Sequence, residues 1–230
     1  PAAPAYNLAV PRSACPACGH RIGVLENIPV LSWLMLRGRC SACAAPISAR
    51  YPLVEAATGV LSVAVVWHFG VTLAAAGALA LVWFLIALTA IDLDTMLLPD
   101  DLTLPLLWLG LAFNLAGTLV PLAEAVIGAM AGYLALWSIY WLFKFATGRE
   151  GMGMGDFKLL AALGAWLGWQ MLPLILLLSS VVGAAVGLAL IALGKRELQS
   201  LIPFGPYLAG GGLAALFFGE RLVAYWLGSV

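Results

Sequence analysis

Hydrophobic positions along this chain follow two regimes that meet near residue 50. From Leu53 onward the residues are almost continuously apolar, so element boundaries are read from the glycines, prolines and charged residues that interrupt them. Seven segments emerge: 53–69, 72–91, 102–119, 123–146, 157–169, 171–193 and 201–218. Most approach the ~20 residues that a membrane-spanning helix needs. Segment 157–169 is too short to cross without tilting or local thinning of the bilayer. The tail GERLVAYWLGSV is amphiphilic and is expected at an interface. The pattern predicts an all-α polytopic membrane protein with about seven transmembrane segments over residues 51–230. A small polar domain over residues 1–50 precedes it. Three GxxxG spacings, Gly128/Gly132, Gly164/Gly168 and Gly183/Gly187, would let helices approach closely.

Composition strengthens this picture. Of 230 residues, 63% are hydrophobic and 10% charged, and the mean hydropathy is +1.04. A soluble chain needs far more polar surface than this, and a disordered one needs high charge and little apolar content. Lys and Arg number 11, Asp and Glu 11, and the net charge is zero, so nothing in the balance suggests nucleic acid. Pro1 is not a Met, and PAAPAYN lacks the layout of a signal peptide. The expectation is a chain trimmed at its start.

Charge also orients the segments. With residues 1–50 on one side and seven crossings, Lys144, Arg149, Lys158, Lys195 and Arg196 fall on the same side as Arg12, Arg21, Arg37, Arg39 and Arg50. Only Arg221 falls opposite. The positive-inside rule makes the charged face cytoplasmic.

The cysteines, Cys15, Cys18, Cys40 and Cys43, form two Cys-x-x-Cys pairs. Two such pairs can complete a tetrahedral thiolate shell, which suits a structural zinc ion with no open coordination position. The alternative is two disulfides, which a cytoplasmic location disfavours. Gly19 and Gly38 flank the pairs and ease their turns, and His20 is a possible substitute ligand.

Acids beside membrane helices are costly and commonly functional. Asp92 lies at the end of segment 72–91, in ALTAIDLDT, and Asp156 closes GMGMGD and opens the next helix. Topology brings both to one leaflet. Two carboxylates in a partly dry site share a proton; one can serve as general base on water and the other as general acid towards a peptide carbonyl. Gly151, Gly153 and Gly155 would let an extended substrate backbone approach. The competing reading has Asp156 as the N-cap of its helix. Asp94, Asp100 and Asp101 read as loop acids in water, Lys158 as a snorkelling side chain. Glu55 could meet a cationic substrate group or pair with a nearby Arg.

The stretches CPACGHRIGVLENIPVLSWLMLRGRCSAC, RYPLVE, ID with LLPDDLTLPLLWLG, GMGMGDFKLLAALGAW and IPFGPYLA, in that order, cover almost the whole chain. In them the chain resembles the type IV prepilin peptidases, bacterial leader peptidase/N-methyltransferases of the GxGD aspartic type. The resemblance implies that Asp92 and Asp156 are the catalytic pair. It also implies removal of a basic leader from prepilins and pseudopilins of pilus assembly and type II secretion at the cytoplasmic face of the inner membrane. Methylation of the new N-terminus by S-adenosylmethionine follows from it too, with no residue assignable to that donor. Family members carry a further leading helix with a Gly-Ser-Phe-x-Asn motif, so eight helices are expected in full and seven here. The rival readings are a proton- or cation-coupled transporter, which would place acids near mid-membrane, and a membrane anchor bearing a zinc module.

Overall fold

Each predicted apolar segment becomes one helix, and the helix ends follow local chemistry. The computed structural model describes residues 13–149, 151–194 and 202–226. The expectations for Pro1, Arg12, Lys195 and Arg196 and for the last four residues of the tail lie outside these. The chain divides into two units, Pro1–Val63 and Ala64–Val230. Apart from two isolated bridges, Ala14 with Arg21 and Arg39 with Pro46, the described residues contain no β structure.

In the first unit, each Cys-x-x-Cys pair sits on a tight knuckle. Cys15 N–H donates to His20 O and Gly19 N–H to Cys15 O; Cys40 N–H donates to Ala45 O and Ala44 N–H to Cys40 O. The residue after each second cysteine is left-handed, at φ 71° for Gly19 and 57° for Ala44. Between the knuckles lies a short helix, α1 (Leu31–Met35). Its Trp33 donates to Ile47 O at 3.1 Å and lies flat on Gly38, where a Cβ would come within 2.8 Å of the ring. Helix α2 (Arg50–Phe69) begins in this unit.

The second unit contains α3 (Leu73–Thr95), α4 (Asp100–Leu115), α5 (Leu122–Thr147), α6 (Met154–Leu167), α7 (Leu172–Ala192) and α8 (Gly205–Trp226). Thr72 caps α3 by accepting the Ala75 N–H at 3.2 Å. Met96 and Gly148 end α3 and α5 in the left-handed conformation. Helix α8 runs through Gly219 to Trp226, so it includes much of the tail that the sequence pattern separates from segment 201–218. Gly219 does not break it, because that glycine packs on the Met171 sulfur.

Helix α6 is the hub. Its 14 residues span only about 21 Å, short of the ~30 Å hydrocarbon core. From Phe157 to Leu167 every residue except Lys158 is buried, so protein rather than lipid surrounds it. It packs on α4, α5, α7 and α8. Two of the three GxxxG pairs explain the closest of these contacts. A Cβ on Gly128 of α5 or Gly164 of α6 would collide with the other's carbonyl oxygen, and one on Gly132 would meet Leu160 O at 2.6 Å. Gly183 and Gly187 instead pack on Tyr207 and Ile202.

Polar contacts pin the end of α6 remote from Asp156. Trp166 lies in a cradle formed by Gly77 and Gly110 and donates to Leu106 O at 2.8 Å. Asn114, fully buried, donates to Ala165 O and Trp166 O at 2.9 and 3.0 Å. Its Oδ1 accepts from the N–H groups of Leu119 and Val120. One side chain thus satisfies the last carbonyls of α6 and the loop after α4.

Among the described residues, four stretches are long and apolar enough to cross a membrane: Arg50–Phe69, Leu73–Thr95, Leu122–Thr147 and Trp169–Ala192. Large apolar side chains such as Trp67, Val71, Leu142 and Phe145 lie exposed, as lipid contact requires. Helices α4 and α6 fall below spanning length and α8 is not among the four apolar stretches, and this is where the structure differs from a uniform row of seven spans.

The backbone contact between α5 and α6 leads to a prediction. Gly164→Ala must separate these helices or shift them, costing about 1–3 kcal/mol or more. Gly210→Ala meets open space and stays near neutral. Thermal unfolding of both variants in detergent measures the contrast.

Candidate active site and thiolate cluster

Asp92 lies in the last turn of α3 and Asp156 is the third residue of α6. They are 4% and 7% exposed. Asp156 is not the N-cap that one sequence reading offered. Gly153 holds that place in extended conformation, because the chain enters the helix three residues earlier than expected. The carboxylate of Asp156 folds back towards Gly153, whose Cβ position would lie 3.7 Å from Oδ2. Asp156 thus sits in the positive first turn of its helix.

Asp92 is at the opposite, negative end of α3, where an acid is electrostatically disfavoured. The compensation comes from a different helix. Gly205, the first residue of α8, donates its N–H to Asp92 Oδ2 at 2.9 Å. A Cβ on Gly205 would stand 2.6 Å from that oxygen. Both carboxylates are therefore held at helix N-termini, and the charge of Asp92 acts directly on Asp156.

Leu98 closes the arrangement. After the left-handed Met96, the loop turns Leu98 inward against both Gly155 and Gly205, with Cβ positions 2.7 and 3.1 Å away. In this structure the approach that Gly155 permits is that of Leu98. Gly153 is exposed, and Gly151 packs under Phe143. The other acids near the pair are not free loop groups. Asp94 is in the last turn of α3, and Asp100 and Asp101 open α4. Asp100 Oδ1 accepts from Lys158 Nζ at 2.5 Å, because Lys158 emerges from the otherwise buried start of α6 beside the first turn of α4. Lys158 is therefore an ion-pair partner rather than a free snorkelling cation.

Gly205 and Leu98 were invisible as site residues in the sequence. The Gly-Pro pair 205–206 did mark a helix start, but nothing local tells which carboxylate that start will meet.

In the first unit the four cysteines converge, with all four sulfurs within 4.8 Å of one another. Cys15 and Cys43 sulfurs are 3.9 Å apart, and Cys18 and Cys40 sulfurs 4.0 Å. A tetrahedron of sulfurs about 2.3 Å from zinc has edges of roughly 3.8 Å, so the donor set fits zinc. These separations are also far from the ~2.05 Å of a disulfide. Backbone N–H groups of Ala17 and Cys18 bring the Cys15 thiol down to about 7. Those of Cys43 and Ala42 lower Cys40 in the same way. The His20 amide pulls Cys18 down, but its hydrogen bonds with Cys43, Cys15 and Cys40 outweigh this and push it up to about 12. Four sulfurs this close could hold a metal ion among them.

His20 is not in the cluster; it lies 3.2 Å from Glu26. Glu26 also accepts from the Gly23 N–H at 2.8 Å and from the Ser41 hydroxyl, so it ties the two knuckles together. The Gly23 amide, then Ser41 and His20, hold its carboxyl down at about 2. Glu55 accepts the Val30 N–H at 2.8 Å.

Residues 79–188 match the model of the type IV leader peptidase family, and residues 2–69 that of the bacterial peptidase A24 N-terminal domain. A protein of Aeromonas hydrophila named prepilin leader peptidase/N-methyltransferase is 64% identical over 97% of this chain and 77% of its own length. Proteins of the same name are 58% identical in Stutzerimonas stutzeri, over 99% of this chain and 78% of theirs, and 56% identical in Pseudomonas aeruginosa, over 96% and 77%. No solved structure matches the chain. With such identity over nearly its whole length, and with both aspartates and all four cysteines inside the matched stretches, the chain belongs to the type IV leader peptidase family.

Proposed function

We propose that this protein is a membrane-embedded aspartic endopeptidase that removes the leader of prepilins and pseudopilins, and an N-methyltransferase acting on the new N-terminus. The observation that carries the reading is the pair Asp92 and Asp156, both buried and each held at a helix N-terminus. It occurs in a chain 64% identical to a protein named for that reaction.

In this reading one carboxylate takes a proton from water while the other gives a proton to the peptide carbonyl oxygen. Water oxygen bonds to the carbonyl carbon, giving a tetrahedral intermediate. A proton then passes to the amide nitrogen, the C–N bond breaks, and a carboxylate leader and a free amine leave. The Gly205 N–H occupies Oδ2 of Asp92 and leaves Oδ1 for proton transfer. Gly153, exposed beside Asp156, is the proposed point of approach for the substrate backbone, and Gly155, filled by Leu98 in this structure, becomes a second one when that side chain withdraws.

The finer assignments belong to the same proposal. Helices α2–α8 form a bundle in the bacterial inner membrane, with the short α6 enclosed by its neighbours, both aspartates lie at the cytoplasmic leaflet, and residues 1–50 form a cytoplasmic domain before the peptidase domain of residues 51–230. Cys15, Cys18, Cys40 and Cys43 hold a structural zinc ion, which would cross-link the knuckles and leave no position for water. The methyl donor is S-adenosylmethionine. Among the described residues no strand–loop–helix unit is present to cradle its nucleoside.

Three outcomes test this reading. With a prepilin peptide and the full-length enzyme in detergent, followed by intact mass spectrometry, Asp92→Asn and Asp156→Asn each lower cleavage by about 10²- to 10⁴-fold. Retained cleavage removes that aspartate from the mechanism. Gly205→Ala lowers kcat about tenfold or more with KM little changed, since it displaces Asp92 and touches no substrate; kinetics on the same peptide give the split. Elemental analysis finds a single zinc ion per chain, reduced in Cys15→Ser and Cys43→Ser, and thiol titration after acid release finds four free thiols rather than two disulfides.

A further inference from the structure

Helix α1 presents an apolar face that neither knuckle covers. Leu31, Leu34 and Met35 stand at i, i+3 and i+4, on one side of the helix, and are 58%, 57% and 82% exposed. The turn before it adds Val24 and Leu25, at 89% and 77%. Trp33 points elsewhere, fixed on Gly38 and Ile47. The exposed face is therefore held outward and is not a collapsed core that has opened.

Three further observations say what covers this face. The first is its height along α2. Val30, the residue before α1, donates its N–H to Glu55 at 2.8 Å. Glu55 lies five residues into a helix apolar enough to span a membrane from Arg50, about 7.5 Å along its axis. The tether therefore sets α1 beside the first turns of a spanning helix. Trp33 adds a second tether at Ile47, three residues before that helix begins.

The second observation is charge. Residues 1–63 contain five arginines, at 12, 21, 37, 39 and 50, against two acids, Glu26 and Glu55, a balance of 5 − 2 = +3. Both acids accept backbone N–H bonds. Arg37 and Arg39 follow α1 directly and are exposed. An apolar face rimmed by arginine is the pattern of a segment lying in the headgroup layer of an anionic bilayer.

The third is strain. Val30 has φ 60° and ψ −49°, a region that a β-branched residue avoids. Such a conformation persists where its surroundings hold it. Here Glu55 holds the amide of the strained residue, and the turn launches α1 sharply from the chain.

We propose that α1 is an interfacial anchor. Leu31, Leu34 and Met35 enter the boundary between headgroups and acyl chains, and Arg37 and Arg39 bind the phosphates of anionic phospholipids. The anchor sets the depth of the cysteine unit at the membrane surface. It requires only that α2 crosses a bilayer, and does not depend on which reaction the aspartates perform.

The test uses the full chain in nanodiscs of phosphatidylethanolamine and phosphatidylglycerol. A nitroxide is carried on p-acetylphenylalanine in place of Met35, whose exposure makes the exchange tolerable to the fold. Electron paramagnetic resonance power saturation then compares collisions with oxygen, which concentrates in lipid, and with an aqueous nickel chelate. Zinc content and thermal unfolding matching the parent verify the fold. The expected result is a several-fold excess of oxygen over nickel collisions. That excess falls when phosphatidylcholine replaces phosphatidylglycerol, and falls again in Arg37→Gln with Arg39→Gln. Free access of nickel would overturn the proposal. So would shielding from both reagents, which would mean that another protein segment or a second copy covers the face. A depth indifferent to lipid charge and to both arginines would overturn their phosphate-binding role.

Discussion

The second unit depends on the backbone contact between α5 and α6 at Gly128 and Gly164. In lipid, apolar side chains gain little by leaving the acyl chains for another helix, so helices associate through close packing and hydrogen bonds. Bare glycine faces let the two backbones approach within carbonyl contact. That approach draws a helix too short to cross a membrane into the centre of the bundle, where its neighbours supply the surroundings that the bilayer cannot. Each interhelical hydrogen bond contributes only roughly 0.6–2 kcal/mol, so Trp166 and Asn114 serve mainly to orient α6 once packing has placed it.

The location of the two aspartates follows from this placement. Asp156 enters the interior because it rides on the first turn of the buried helix, and the positive end of that helix moderates the expense of burying it. Asp92 has no such help from its own helix. It lies where the carbonyls of α3 point, and it is the first amide of α8 that turns the position into a favourable one. The glycines at 155 and 205 share a neighbour in Leu98, so the loop between α3 and α4 is fitted into both helix starts. The ion pair of Asp100 with Lys158 fastens that same loop from outside. A reaction needing two carboxylates at a fixed separation is served by this arrangement, since three helix termini converge on a single packed leucine.

The cysteine unit obeys different physics. It is too small to bury a core, and its order comes from two knuckles of matching hydrogen bonds, from the Glu26 link between them and from the convergence of four sulfurs. Leu31, Leu34 and Met35 are consequently left outside. In a purely aqueous setting that would be a liability; beside a membrane helix it becomes a means of attachment.

Much of this was legible in the chain. Helices appear where apolar runs exceed about four turns, because solvation by lipid is a property of local composition. The Cys-x-x-Cys spacing specifies a sulfur cluster because a knuckle is itself local. Asp92 and Asp156 stand out because an acid at the end of an apolar run has few structural reasons to be there. Other features were closed to such reading. A helix that is apolar on all sides has no stripe to mark which face meets lipid and which meets protein, so the central position of α6 could not be inferred from its residues. The partner of Asp92 is a backbone amide, a group that every residue but proline carries, and only the crossing of α3 with α8 selects Gly205. Local sequence determined the helices, the cluster and the two acids. Tertiary packing decided which backbone faces those acids and which helix is enclosed, because close approach is a property of pairs of surfaces and no single segment encodes it.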